Sequence, residues 1–244
     1  MPLKSSNAAV AVRSPRLRDV TAEPLAKSRN SRTGSIRTRE MIMEAATDEF
    51  GLKGFDGARV DGVALRAGVH KNVIYHHFGS KDQLFTAVLE HMYRVIRKRQ
   101  QDLKIRNLGP IEGMHRLVIF TGKIWLQYPH FQRLIYSANM HNGRHLRASQ
   151  TIATIYNPLL ATINDLLARG AESGVFRKDV DPIDLYVSVS ALTAHYVSKS
   201  HSLEVIFHQK MMTPQRLRQR FQHASEMILR FVLADPESWF KSKR

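Results

Sequence analysis

The side chains best suited to chemistry fall in one short stretch, Ala58–Leu84, which reads ARVDGVALRAGVHKNVIYHHFGSKDQL. Within it Lys71 and Lys81 offer point charges to a phosphate and Tyr75 offers a hydroxyl. Arg59 can bond an oxyanion through charge-assisted hydrogen bonds. Asn72 can pair bidentately with adenine, and His70 stands beside it at a helix start, where such side chains meet base edges. His76 faces outward on the same segment. This is the chemistry of holding a polyanion, and the alternative for each group is simple surface solvation. Nothing in the stretch pairs a nucleophile with an orienting base, so no enzyme is expected.

A second set is dispersed. Trp125, Tyr136, Asn139, His195 and Tyr196 interrupt otherwise apolar helices after Pro110. They either line a cavity for a small molecule or belong to a filled core with satisfied polar groups. His141 and His145 have the spacing of metal ligands, but Gly143 lies between them and no cysteine or nearby acid assists. They read as surface or pocket histidines, and no metal or cofactor is expected. His76 and His77 are neighbours that face different ways on a helix.

The first cluster needs a helix to carry it. Val60, Val63 and Ala64 recur at helical spacing, Gly68 supplies a left-handed turn, and a second helix follows over His70–His77 with Val73 and Ile74 inward. It ends near Phe78-Gly79. Ser80-Lys81-Asp82-Gln83 then reads as a capping box opening the next helix. Two short helices around a glycine turn, the second bare of carboxylates, form a helix-turn-helix pattern.

The flanking elements are helical too. A helix from Ser35 to about Leu52 carries Ile42, Ala45, Ala46, Glu49 and Phe50 on its stripe. Gly54 ends it and Phe55 turns back into the core. From Lys81 a long fourth helix keeps Leu84, Phe85, Val88, Leu89, Met92, Val95 and Ile96 inward. Its later basic residues, Arg94, Arg97, Lys98, Arg99, Lys104 and Arg106, read as a solvated face; the other reading is an extension of the DNA-facing potential. Asn107-Leu108-Gly109-Pro110 breaks it. Further helices are expected over Ile111–Tyr128, Phe131–Met140 and about Leu146 to Arg169, the last kinked at Asn157-Pro158. Asp181-Pro182 opens another, running to about Ser200, and Thr213-Pro214 opens the last. With no sustained alternation, repeat or glycine-rich phosphate loop, the fold class is all-α.

Glu40–Leu84 resembles the DNA-binding domain of the TetR/AcrR family of transcription regulators. The matching residues are Ile42, Ala46, Phe50, Gly54-Phe55, Val63-Ala64, Ala67-Gly68-Val69, Lys71, Ile74-Tyr75, His77-Phe78, Ser80-Lys81 and Leu84. The resemblance implies an N-terminal three-helix helix-turn-helix DNA-binding domain followed by a helical effector-binding and dimerisation domain. It divides the chain into a basic arm (1–34), the DNA-binding domain (35–80), the regulatory domain (81–234) and a C-terminal tail (235–244). It further implies a homodimer, joined through the last two helices, that represses from a double-stranded DNA operator. A small-molecule effector held near Trp125, Tyr136, Asn139, His195 and Tyr196 would release it. The alternative is an architectural or nucleoid-associated DNA-binding protein without effector control. Three residues depart from the family pattern. Arg59 replaces a small hydroxyl residue, and His70 replaces a Ser or Thr cap at a cost of about 1 kcal/mol. Gly62 inside the first motif helix costs about 1 kcal/mol against alanine.

Bulk composition agrees with a polyanionic partner. The 244 residues carry a net charge of +16, with an isoelectric point near 10.4. Cysteine is absent, which fits a reducing compartment. No apolar run has the length of a membrane span, and the early Ala-Ala-Val-Ala-Val is too short for a leader core, so a cytoplasmic location and no membrane partner are expected. In 1–34, Arg13, Arg16, Arg18, Lys27, Arg29 and Arg32 outnumber Asp19 and Glu23. That composition cannot offset its ordering entropy and predicts a mobile arm. The arm either lies along phosphates or a minor groove, or is a solvated leader.

Overall fold

The computed structural model describes the backbone of residues 27–241 and side chains from residue 34 onward. Most of the basic segment expected at 1–34 lies outside the described residues. The first helix, α1 (Lys27–Gly57), begins at Lys27 rather than at Ser35. Once a helix is anchored by a buried stripe, each added residue gains a hydrogen bond for little further cost. The expected break at Gly54 is present: its φ of 69° and ψ of −180° suit glycine alone. That turn brings Phe55 into the core, 6% exposed.

α2 (Val60–Ala67) buries Val60, Val63, Ala64 and Ala67. Gly68 closes it with φ 66°, and α3 (Lys71–Phe78) buries Ile74 and Phe78. α4 (Lys81–Gln101) starts where Ser80 Oγ accepts from the Gln83 N–H at 3.1 Å. Only this forward half of the capping box forms, because the Ser80 N–H is taken by the Phe78 carbonyl.

The remaining helices are α5 (Pro110–Gln127), α6 (Pro129–Met140), α7 (Arg144–Arg147), α8 (Ile152–Glu172), α9 (Pro182–Ser198), α10 (Ser200–Phe207), α11 (Pro214–Val232) and α12 (Pro236–Lys241). The helix expected from Leu146 is therefore two. Ser149 explains the split: its hydroxyl accepts from the backbone of Thr151 and Ile152, starting α8, and donates to Glu90 on α4 at 2.6 Å. α8 continues through Pro158. Asp181 and Thr213 cap α9 and α11 ahead of prolines as the sequence predicts. α10 and α12 are additions, so the pair read as the last two helices is α9 and α11.

Apolar side chains gather in two cores. One joins α1–α4 to Ile124 of α5 and to Phe131, Leu134 and Ala138 of α6. The other joins Met114, Leu117 and Val118 of α5 to α8, α9 and α11. Tyr156 packs against both.

Candidate nucleic-acid interface and ligand cleft

α3 is built to be held from behind and free in front. Ile74 is 1% exposed, whereas His70, Lys71, Asn72, Tyr75 and His76 are all exposed. The helix has no carboxylate. His70 caps it in an extended conformation without a side-chain bond, as its identity predicts, and its carbonyl receives the Val73 N–H at 2.9 Å. The ammonium of Lys71 rests 3.1 Å from Asp61 on α2, and that hydrogen bond raises its pKa. A phosphate arriving at α3 would compete with Asp61 for this cation. Arg59 is exposed at the start of α2.

Lys81 differs from the other six. It is half-buried, with its ammonium 4.6 Å from the centroid of the Phe55 ring, where Arg144 also lies at 5.2 Å. Its cation therefore helps seat α4 against Phe55.

A residue read from the sequence as part of an apolar stripe holds the module together. Glu49 is fully buried. Its carboxylate accepts from Lys53 Nζ at 2.7 Å, the Arg59 backbone N–H at 3.3 Å and Arg66 Nε at 3.4 Å. Burial works against its charge, yet the bonds from Lys53 and Arg59 hold its pKa below the usual carboxylate value. A Cβ at Gly62 would stand 2.6 Å from Glu49 Oε1. The glycine that looked costly in a helix is the space the carboxylate occupies.

The five residues proposed for an effector do not converge. Trp125 stacks on Phe131 and donates to Thr193 Oγ1 at 3.3 Å. Tyr136 is 68% exposed on an open groove of about 760 Å³, which Trp125 also reaches, between Lys53–Asp56, α6 and the α9–α10 junction. Asn139 bonds the Ile135 carbonyl, His195 is exposed, and Tyr196 donates to the Met211 carbonyl. These three line neither that groove nor the inner cleft described next. Local helical spacing identified their helices but not which face each side chain occupies.

The inner cleft lies between α4, α5, α6, α8 and α9 and holds about 30 Å³. Arg97, Gln100, Tyr156, Tyr186 and Ser190 line it, with Trp125. The Arg97 guanidinium sits 4.8 Å from the Tyr156 ring centroid and donates to the Gln100 amide oxygen. The hydroxyls of Tyr156 and Tyr186 meet at 3.1 Å. Burial raises the pKa of Tyr156, and pushes that of the adjoining Tyr93 up to about 12. In the sequence Arg97 belongs to a basic run expected to form a solvated face. Its position one turn after the buried Tyr93 is the signal that separates it from its neighbours.

The exposed, carboxylate-free α3 on a helix-turn-helix framework defines a DNA-binding regulator. Residues 42–88 match the pattern described as bacterial regulatory proteins, tetR family, and 110–228 match a tetracyclin repressor-like C-terminal domain. The HTH-type transcriptional repressor NicS of Pseudomonas putida is 30% identical over 167 residues, 68% of this chain and 79% of that protein. The HTH-type transcriptional regulator RutR of Escherichia coli is 25% identical over 168 residues, 69% of this chain and 77% of its own. Among solved structures, a TetR family transcription regulator from Marinobacter aquaeolei matches with a TM-score of 0.63 at 20% identity, covering 83% of this chain and 98% of that one. The chain belongs to the TetR family of DNA-binding transcription regulators. Members of that family are not enzymes, and the C-terminal domain typically binds a ligand.

Proposed function

We propose that the protein is a repressor that binds a near-palindromic operator as a homodimer and leaves it when a small molecule occupies the C-terminal helices. The observation that carries this reading is the face of α3: hydrogen-bond donors at His70, Lys71, Asn72, Tyr75 and His76, without a carboxylate to repel phosphate. Arg59 and Lys81 flank it, and Lys71 and Tyr75 are assigned to phosphate. A dimer would set two such helices one turn apart in successive major grooves. Its surface is assigned to α9 and α11, which leave Ile183, Val187, Met227 and Phe231 exposed. The net charge of +16 supports a DNA partner, and any basic arm would add affinity with little specificity. No helix among the described residues is long and apolar enough to cross a membrane; a regulator that works on DNA is assigned to the cytoplasm.

Fluorescence anisotropy with DNA from upstream of its own gene, at one fixed salt concentration, tests this. Lys71→Ala and Tyr75→Ala should each weaken binding by about 1–3 kcal/mol with helicity retained. Unchanged affinity in both would remove α3 from the interface. One observation favours a second reading, an architectural protein without an effector: the inner cleft is narrow, about 30 Å³. Against it stand the polar groups in that cleft.

A further inference from the structure

The inner cleft contains two buried polar atoms without partners. Arg97 Nε on α4 and Ser190 Oγ on α9 are both inaccessible to solvent and make no hydrogen bond. Both residues line the same space. Leaving such groups unpaired is unfavourable, and buried polar groups in native proteins nearly always have a protein, water or ligand partner. The imbalance is also one of charge. Arg97 bonds the neutral Gln100 amide, and among the described residues no carboxylate pairs with it. By contrast Arg94, one turn of the same run away, is paired with Glu90 at 2.9 Å.

The walls supply the rest of the description. Phe120, Trp125, Phe131 and Tyr156 present aromatic faces or edges to the cleft. The stacked Trp125 and Phe131 rings are 5.7 Å apart between centroids. A flat ring suits such walls, and a planar carboxylate suits a guanidinium. A phosphate dianion would want more cations than the single Arg97 here.

From this geometry we propose that the cleft between α4 and α9 is the site of a small aromatic carboxylate, held by Arg97 and Ser190 with its ring among Trp125, Phe131 and Tyr156. This names the ligand class within the repressor reading, and only its consequence for DNA rests on that reading. The cleft as it stands has room for about one water. The carboxylate therefore has to part α4 from α8 and α9. Because α4 begins directly after α3 and its Ser80 cap, a displaced α4 carries the recognition helix with it. Linkage then requires that DNA weaken the ligand by the same factor as the ligand weakens DNA.

The test uses benzoate and 2-naphthoate, with benzamide as a neutral counterpart, titrated into the full chain carrying Trp239→Phe so that Trp125 is the reporting indole. The carboxylates should change Trp125 emission and raise the melting temperature, and benzamide should bind at least about tenfold more weakly. Arg97→Met should remain folded, since it removes a half-buried cation that no carboxylate among the described residues pairs with, and should lose carboxylate binding by about tenfold or more. Ser190→Ala should lose a smaller factor. Equal binding of benzoate and benzamide, or full carboxylate binding by Arg97→Met, overturns the assignment. So does the absence of any emission change with either carboxylate. Operator titration in parallel separates the two claims. Arg97-dependent binding that leaves DNA affinity unchanged upholds the ligand class and defeats release. Release by benzamide, undiminished in Arg97→Met, upholds release and defeats the class.

Discussion

The buried backbone N–H of Phe55 donates to the Ser137 hydroxyl at 2.8 Å, joining residues 82 apart in sequence. It ties the break at Gly54 within α1 to α6, and the Phe55 ring is enclosed by Phe50, Phe85, His141 and His145. Ser137→Ala would leave that N–H buried without an acceptor. A loss of about 1–3 kcal/mol is expected. Urea unfolding should show a lower midpoint with an unchanged slope; an unchanged midpoint would mean the N–H finds another acceptor.

Glu49 and Gly62 should behave as a pair. Alanine is worth about 1 kcal/mol over glycine in a helix interior, so propensity alone makes Gly62→Ala stabilising. The structure reverses that sign. The new methyl would stand 2.6 Å from Glu49 Oε1, and the carboxylate can withdraw only by giving up bonds to Lys53, Arg59 or Arg66. Gly62→Ala should destabilise the protein, and adding Glu49→Ala should not add the full cost of losing Glu49. Thermal melts of the two single variants and the double variant measure this; simple additivity would mean that the two sites do not interact.

His145 should make stability fall in mild acid. It is 2% exposed, with Nε2 3.0 Å from Asp82 Oδ1 and Nδ1 buried without a partner. Burial lowers its pKa from 6.5, and Arg144 and His141 act in the same direction, while Asp82 opposes them. Asp56, which meets His141 at 3.1 Å, and Lys81 over the Phe55 ring are the other charges around this joint. With the folded pKa depressed, the unfolded chain takes the proton first. Stability is therefore complete above 6.5 and declines as pH falls through the lower folded value. Between about pH 8 and pH 5 the melting temperature should drop, and His145→Gln should flatten that slope. A slope unchanged in His145→Gln would assign it to other groups.

The dimer surface separates two kinds of substitution. Phe221 and Ile228 are 4% and 3% exposed and belong inside the protomer, with Phe221 packed where a Cβ on Gly122 would be. Because they lie on the buried face of α11, an aspartate at either position would unfold the chain instead of parting two copies. Val187 and Met227 are 55% and 44% exposed. Val187→Asp and Met227→Asp should each give folded monomers by sedimentation, with cooperative melting preserved. Dimers in both variants would place the contact on another face.

Much of this was legible locally. Gly54, Gly68 and Ser80 have conformational roles that sequence alone announces, and they bound the DNA-binding helices where expected. Asp181-Pro182 and Thr213-Pro214 work by the same logic. What stayed hidden depends on partners remote in sequence. Ser149 splits a helix because Glu90 waits on α4, and Gly62 is required because Glu49 needs its space. Arg97 was masked by neighbours of the same charge, since a run of cations conceals the one that turns inward. The proposed effector residues suffered the reverse problem. Polar residues on apolar helices are conspicuous, but helical spacing cannot say which cavity, if any, they meet.

The two cores divide the chain at a different place from the boundary near residue 80 that the sequence suggests. The core of the DNA-binding helices includes Phe131, Leu134 and Ala138 of α6, and Tyr156 is shared with the second core. The reading head and its regulator are thus not interchangeable parts. A chimera that joins residues 34–80 to the C-terminal domain of a relative would expose one half of a shared interior and present it with a foreign other half. Exchange of operator specificity between such proteins should succeed by replacing the outward side chains of α3, and a graft of the whole head should need α6 to travel with it.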